Sequence, residues 1–241
     1  MKLFFTLVFS GLFFLNFLPM AAQENQVLVF HKTEGYHHES IPTGTATLKK
    51  LGELNNFKVA ETDDAGQFSE NNLKKYQLVI FLSTTGNVLD EEQQKAFEDY
   101  MNKGGNFFGI HAATDTEYDW KWYGEMVGAY FLSHPKIQEA KVIVEKPQHP
   151  TVAHLPKIWT RTDEWYNLKD ISPKINVLLS LDENSYEGGE NGENHPIAWY
   201  SELEGGGKSI YTGGGHTEAS YSEPAFKKHL LQCILFALGG K

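Results

Sequence analysis

Residues 76–86 read YQLVIFLSTTG, and their centre, Val79-Ile80-Phe81-Leu82, is apolar without a break. A strand with one wet face alternates apolar and polar residues, so an unbroken run predicts a strand covered by helices on both faces. The segments around it follow the same logic. Before it come QVLVFHK (26–32), then IPTGTATLKKLGELNN (41–56) with Ile41, Leu48, Leu51 and Leu54 at helical spacing, then FKVAETD (57–63). After it come LDEEQQKAFEDYMNKGG (89–105), with Asp90 as N-cap and Gly104 as stop, and a further strand, NFFGIH (106–111). Strands alternating with helices predict a doubly wound, mostly parallel α/β sheet.

The second half is less regular. It offers short β-like pieces, AKVIVEK (140–146), INVLLSL (175–181), HPIAWYS (195–201) and GKSIYTGGG (207–215), and a last amphipathic helix from about Pro224 to Leu238. DENSYEGGENGENHP (182–196) is rich in Gly and Asn and reads as a flexible surface loop.

The chain opens MKLFFTLVFSGLFFLNFLPMAAQEN, with Lys2 before an apolar run and the small pair Ala21–Ala22 after Pro19. That is the layout of a secretory signal peptide over residues 1–22, and it predicts an exported, periplasmic or extracellular protein. The apolar run of about 16 residues is shorter than the roughly 20 that span a bilayer, so no stable membrane insertion is expected after cleavage. The remaining residues, 23–241, suit a single domain with one large core. A net charge of −10 with no basic stripe excludes a nucleic-acid partner. The lone cysteine, Cys233, lies in an apolar helical segment and is expected to be buried and inert. Nothing in the pattern speaks to oligomeric state, and a homo-oligomer stays open.

In doubly wound sheets ligands sit beyond the carboxyl ends of the strands, so the residues after each apolar run are where chemistry belongs. Gly109, His111 and Ala113 fit the strand–Gly-x-nucleophile-x-small–helix elbow, with His111 at its apex. The second feature is SIYTGGGHTEASYSEP (209–224), where a strand ends in three glycines followed by His216-Thr217-Glu218. Glycines let backbone approach a ligand and expose N–H groups, and a histidine beside a carboxylate can act as an acid–base pair.

Gly109-Ile110-His111-Ala112-Ala113 and His216-Thr217-Glu218 resemble the Gly-x-Cys-x-Gly elbow and the downstream His-x-Glu of class I glutamine amidotransferases, with histidine in place of the nucleophilic cysteine. Together with TEGYHHESI (33–41), FLSHP (131–135), TDEWYNL (162–168), HPIAWY (195–200) and GGGHTE (213–218), they make the chain resemble the ThuA-like, trehalose utilisation family. The resemblance implies a flavodoxin-like, amidotransferase-like three-layer sandwich. Without a thiolate at the apex, glutaminase activity is not expected.

The resemblance further implies a pocket in which His111, His216, Glu218 and Glu164 are catalytic. His38, Asp115, Tyr166, His134, Gly214 and Gly215 would bind substrate. Asp115 either orients His111 or caps the following helix. Trp199 and Tyr200 could stack on a sugar, although core packing is the default for such aromatics. The implied substrate is a disaccharide or its 3-keto derivative, converted by elimination, isomerisation or hydrolysis. No cofactor is required, but His38, His111 and His216 with Glu164 or Glu218 offer nitrogen and oxygen ligands for zinc or a similar ion. A different class stays open: a non-catalytic carbohydrate-binding or accessory protein on a degenerate amidotransferase fold.

Overall fold

Alternate residues of one strand supply two separate cores. Val27 and Val29 of the first strand pack on one side of the sheet while Leu28 and Phe30 pack on the other, and Ile80 and Phe81 divide in the same way. The computed structural model describes residues 24–239. The segment expected to be a signal peptide, residues 1–22, lies outside the described residues.

The chain begins β1 (Asn25–Phe30), α1 (Ile41–Asn55), β2 (Phe57–Thr62), the one-turn α2 (Glu70–Leu73), β3 (Leu78–Leu82), α3 (Glu91–Asn102) and β4 (Asn106–Ile110). It continues with α4 (Lys121–Val127), β5 (Tyr130–Ser133), β6 (Gln138–Val144), β7 (Ile158–Asp163), β8 (Asn167–Lys169), β9 (Asn176–Asp182), β10 (His195–Glu202), β11 (Lys208–Thr212) and α5 (Pro224–Ala237). Nine strands form one sheet in the order β2-β1-β3-β4-β11-β10-β9-β6-β7. The first five are parallel neighbours. From β11 onward the pairing is antiparallel. A five-residue connection separates β10 from β11, and so short a link can join only antiparallel strands. β5 and β8 form a separate two-stranded ribbon.

Helices α1 and α5 cover one face, through Leu48 and through Phe226, Leu230, Cys233 and Ile234. Helices α3 and α4 cover the other, through Phe97, Met101, Tyr123 and Met126. The expected cap of α3 is present as a capping box between Asp90 and Gln93. Strand β7 was not apparent as a run, because WTRTD alternates exposed and buried residues around two charges.

The turns after β3 and β4 position the chemistry. Each strand is followed by a non-glycine residue in the left-handed region, Ser83 (φ 50°) and His111 (φ 53°). A Cβ on Gly109 would stand 2.8 Å from the Ala113 Cβ, so glycine is needed for the turn to close.

One buried titratable group in the core has a direct consequence. His229 on α5 bonds Thr151 O through Nδ1 and Thr212 Oγ1 through Nε2. Burial, only partly offset by the Thr151 bond, pushes its pKa from 6.5 down to about 4. The stability held by the neutral ring is therefore complete above about 6.5 and is lost as pH falls through 4. The loss by pH 4.5 is roughly 2.5 kcal/mol. Urea denaturation at pH 7.5 and 4.5 is expected to show His229→Gln losing less stability on acidification than the wild type, by about that amount. Equal losses would remove His229 from the account.

Candidate active site

Four polar side chains meet at the carboxyl edge of the parallel strands. His111 follows β4, His38 lies in the loop after β1, His216 follows the glycines after β11, and Glu164 follows β7. His111 Nε2 is 3.1 Å from His38 Nε2 and 3.1 Å from His216 Nδ1. Glu164 Oε2 lies 3.0 Å from His216 Nδ1 and 3.6 Å from His111 Nε2. The rings of His38 and His111 are perpendicular, and the Tyr166 ring sits 4.5 Å from that of His111.

His111 and His38 are fully buried, while His216 and the neighbouring His134 are reached by solvent. The cluster therefore has a closed floor and an open side. His111 Nδ1 lies 3.0 Å from the Gly213 carbonyl, which can only accept. That bond places the proton of a neutral ring on Nδ1 and leaves Nε2 as a bare lone pair facing the cluster.

The electrostatics separate two carboxyls. Burial works to raise the Glu164 carboxyl, but His111 and His216, when their rings carry a proton toward it, outweigh burial and hold the group well below the usual carboxylate range. Asp115, half-buried, is shifted the other way by burial, against the pull of its bond from Tyr118 O–H at 2.6 Å. Burial, then the charges of His111 and His216, push His38 down to about 2, so that ring stays neutral.

Several expected residues meet here and others do not. His38, His111, His216, Glu164 and Tyr166 are brought together. His134 joins through Nδ1, 3.1 Å from Glu164 Oε1. Asp115 bonds Tyr118 rather than His111. Glu218 is a correction: it opens a 3-10 turn, is exposed, and accepts from Thr43 Oγ1 on α1 at 2.9 Å. The two-residue step from His216 carries its carboxylate over to the α1 surface.

The glycine loop is corrected at Gly215. The Gly213 N–H is taken by Ile197 O and the Gly215 N–H by Asp163, so these amides are not free for a developing oxyanion. A Cβ on Gly214 would stand 2.5 Å from Arg161 Nη1, and Gly215 adopts φ +111°. Close packing and backbone conformation thus account for both glycines. Trp199 is core, its N–H bonding Val127 O, and Tyr200 stacks on His149.

Sequence reasoning missed Asp163, which is fully buried. Its carboxylate accepts from the backbone N–H of Glu164, Gly215 and His216 and from Ser220 O–H, and it pairs with Arg161 at 3.0 Å. One anion thus ties β7 to the glycine loop and sets both Glu164 and His216. The alternation of β7 was the available signal, since it puts Arg161 and Asp163 on the inward face. Tyr36 was missed too; it is 62% exposed although its ring lies 4.8 Å from that of buried His38.

The stretch expected to be a flexible loop is tied down. Asn191 bonds both the N–H and the carbonyl of Leu168, Glu190 N–H donates to Asn167 Oδ1, and His195 Nε2 bonds Tyr166 O. It clamps the segment that carries Glu164 and Tyr166.

A family model described as ThuA, trehalose utilisation, matches residues 26–237. The structure is similar to that of a ThuA-like protein from Bacteroides uniformis, 24% identical with a TM-score of 0.78, over 90% of this chain and 94% of that one. A ThuA-like protein from Parabacteroides merdae is 19% identical with a TM-score of 0.73, over 90% and 91% of the two chains. A glutamine amidotransferase from Thermotoga maritima shares the fold at 13% identity and a TM-score of 0.51, over 89% and 98%. No curated protein matches the chain.

Proposed function

Because the chain belongs to the ThuA, trehalose utilisation, family, we propose that it is an enzyme converting a disaccharide or its 3-keto derivative by proton transfer at the histidine–carboxylate cluster. The observation that carries the proposal is the convergence of His38, His111, His216 and Glu164 at the strand edge, with one side open. A site of this kind suits proton transfer. Glutamine hydrolysis is not part of the proposal, since the elbow offers an imidazole where thioester formation needs a thiolate. Export is part of it, supported by the apolar run after Lys2.

A 3-keto sugar fits the split between the carboxyls. The ketone acidifies the neighbouring C2–H. Glu164, held ionised, accepts that proton through Oε1 and keeps it as the neutral acid. The C–H electron pair moves into the C2–C3 bond, giving an enolate at the ketone oxygen. When the enolate collapses, its electrons form a C1–C2 double bond and expel the C1 oxygen substituent. Asp115, whose carboxyl keeps its proton to higher pH than an exposed aspartate, protonates that leaving oxygen. Two carboxyls pushed in opposite directions divide the base and acid roles between them.

Incubation of the protein with a 3-keto disaccharide in D2O tests this. Deuterium is expected at C2 ahead of product, and Asp115→Asn should retain that exchange while cleavage falls by about two orders of magnitude. Absence of both exchange and product with intact and 3-keto disaccharides would leave the protein a binder.

A further inference from the structure

We propose that His38 Nε2, His111 Nε2, His216 Nδ1 and Glu164 Oε2 together hold one divalent transition-metal ion of the zinc type. The inference rests on the same cluster as the proposed reaction, and would stand if that reaction were wrong.

Spacing is the first support. Zinc binds imidazole nitrogen at about 2.0–2.1 Å, so two donors of a tetrahedral shell lie about 3.3 Å apart. The distances here, 3.1, 3.1, 3.0 and 3.6 Å, bracket that value, and all four atoms lie within 4.8 Å of one another.

The second support is proton accounting. In the neutral ring His111 Nδ1 donates to Gly213 O, so Nε2 has a single lone pair, yet two imidazole nitrogens approach it at 3.1 Å. Only one of them can donate into that lone pair. A cation at the centre lets every nitrogen present its own lone pair without that competition. A metal-bound histidine ordinarily donates its other N–H to a carbonyl or carboxylate, as His111 does to Gly213 O.

The third is construction. Asp163 accepts from the backbone N–H of both Glu164 and His216, so two donors from distant parts of the chain are positioned together. Metal binds the neutral imidazole and the ionised carboxylate, so uptake releases any proton these groups hold. Three imidazoles and one carboxylate favour zinc and its first-row neighbours over magnesium or calcium, which take oxygen shells. An ion here would polarise a substrate carbonyl oxygen entering from the open side. Glu164 Oε1 remains beside His134 for the proton.

The test is metal binding by the tag-free full chain, read without reference to turnover. Mass-spectrometric metal analysis, zinc calorimetry and the visible spectrum of the cobalt-substituted protein are expected to give one equivalent per chain. His38→Gln and His216→Gln should each weaken it at least about tenfold, and Glu218→Gln should leave it unchanged. Circular dichroism checks folding; should the buried His38 variant fail to fold, His216→Gln at the open side decides. Lack of stoichiometric uptake of zinc, cobalt or manganese would overturn the site, as would uptake unaffected by His216→Gln. C2 exchange without metal uptake sinks the metal alone; metal uptake without exchange sinks the reaction alone.

Discussion

Glu164→Gln is expected to lower turnover of a 3-keto disaccharide by two to four orders of magnitude, the range supplied by a positioned acid or base. The amide keeps the shape of the carboxyl, so folding and substrate affinity should change little while kcat falls. The expected size follows from the position of Glu164. One oxygen faces His216 and His111, and the other faces His134 at the open side. No other carboxylate among the described residues occupies that junction; Glu218, the alternative by sequence, is bonded to Thr43 on the surface of α1. Glu218→Gln should therefore retain near wild-type rates. C2 deuterium exchange separates the two variants directly. Full exchange by Glu164→Gln, or its loss in Glu218→Gln, would reverse the assignment.

Asp163→Ala is expected to have the largest effect on stability, about 3 kcal/mol in denaturant unfolding, at the lower end for breaking a buried pair. The carboxylate satisfies three backbone N–H groups and the Ser220 hydroxyl as well as the Arg161 guanidinium. Removing it leaves buried donors without a partner, and each such group costs about 1–3 kcal/mol when desolvated. Arg161 keeps its partly exposed partner Glu223, which moderates the loss. The double variant Arg161→Met, Asp163→Leu should recover only the part owed to the unpaired guanidinium, because the three backbone N–H groups still lack an acceptor. It should not recover activity, since Glu164 and His216 lose the group that sets their backbones. An Asp163→Ala variant within 1 kcal/mol of wild type would show that the loop is held by its packing alone.

The parallel half of the fold was legible in the chain because burial on both faces writes itself into each strand. Val79 to Leu82 have no polar residue to spare, and all four are core. The antiparallel half was not, because strands such as β7 alternate, and an alternating WTRTD also describes an exposed segment. DENSYEGGENGENHP misled for a related reason. Gly and Asn mark backbone turns, and composition does not reveal that Asn191 spends its side chain on Leu168.

By itself the sequence determined that β4 would end in a tight turn with His111 at its apex, and that His216 would follow a second strand end. Both are local facts of glycine spacing and apolar runs. Tertiary structure alone decided that these rings, 105 residues apart, touch at 3.1 Å, and that Glu164 rather than Glu218 joins them. Strand order in the sheet, and the buried carboxylate of Asp163 pulling two loops onto itself, set that meeting. Neither strand order nor a shared hydrogen-bond acceptor leaves a periodicity along the chain from which it could be inferred.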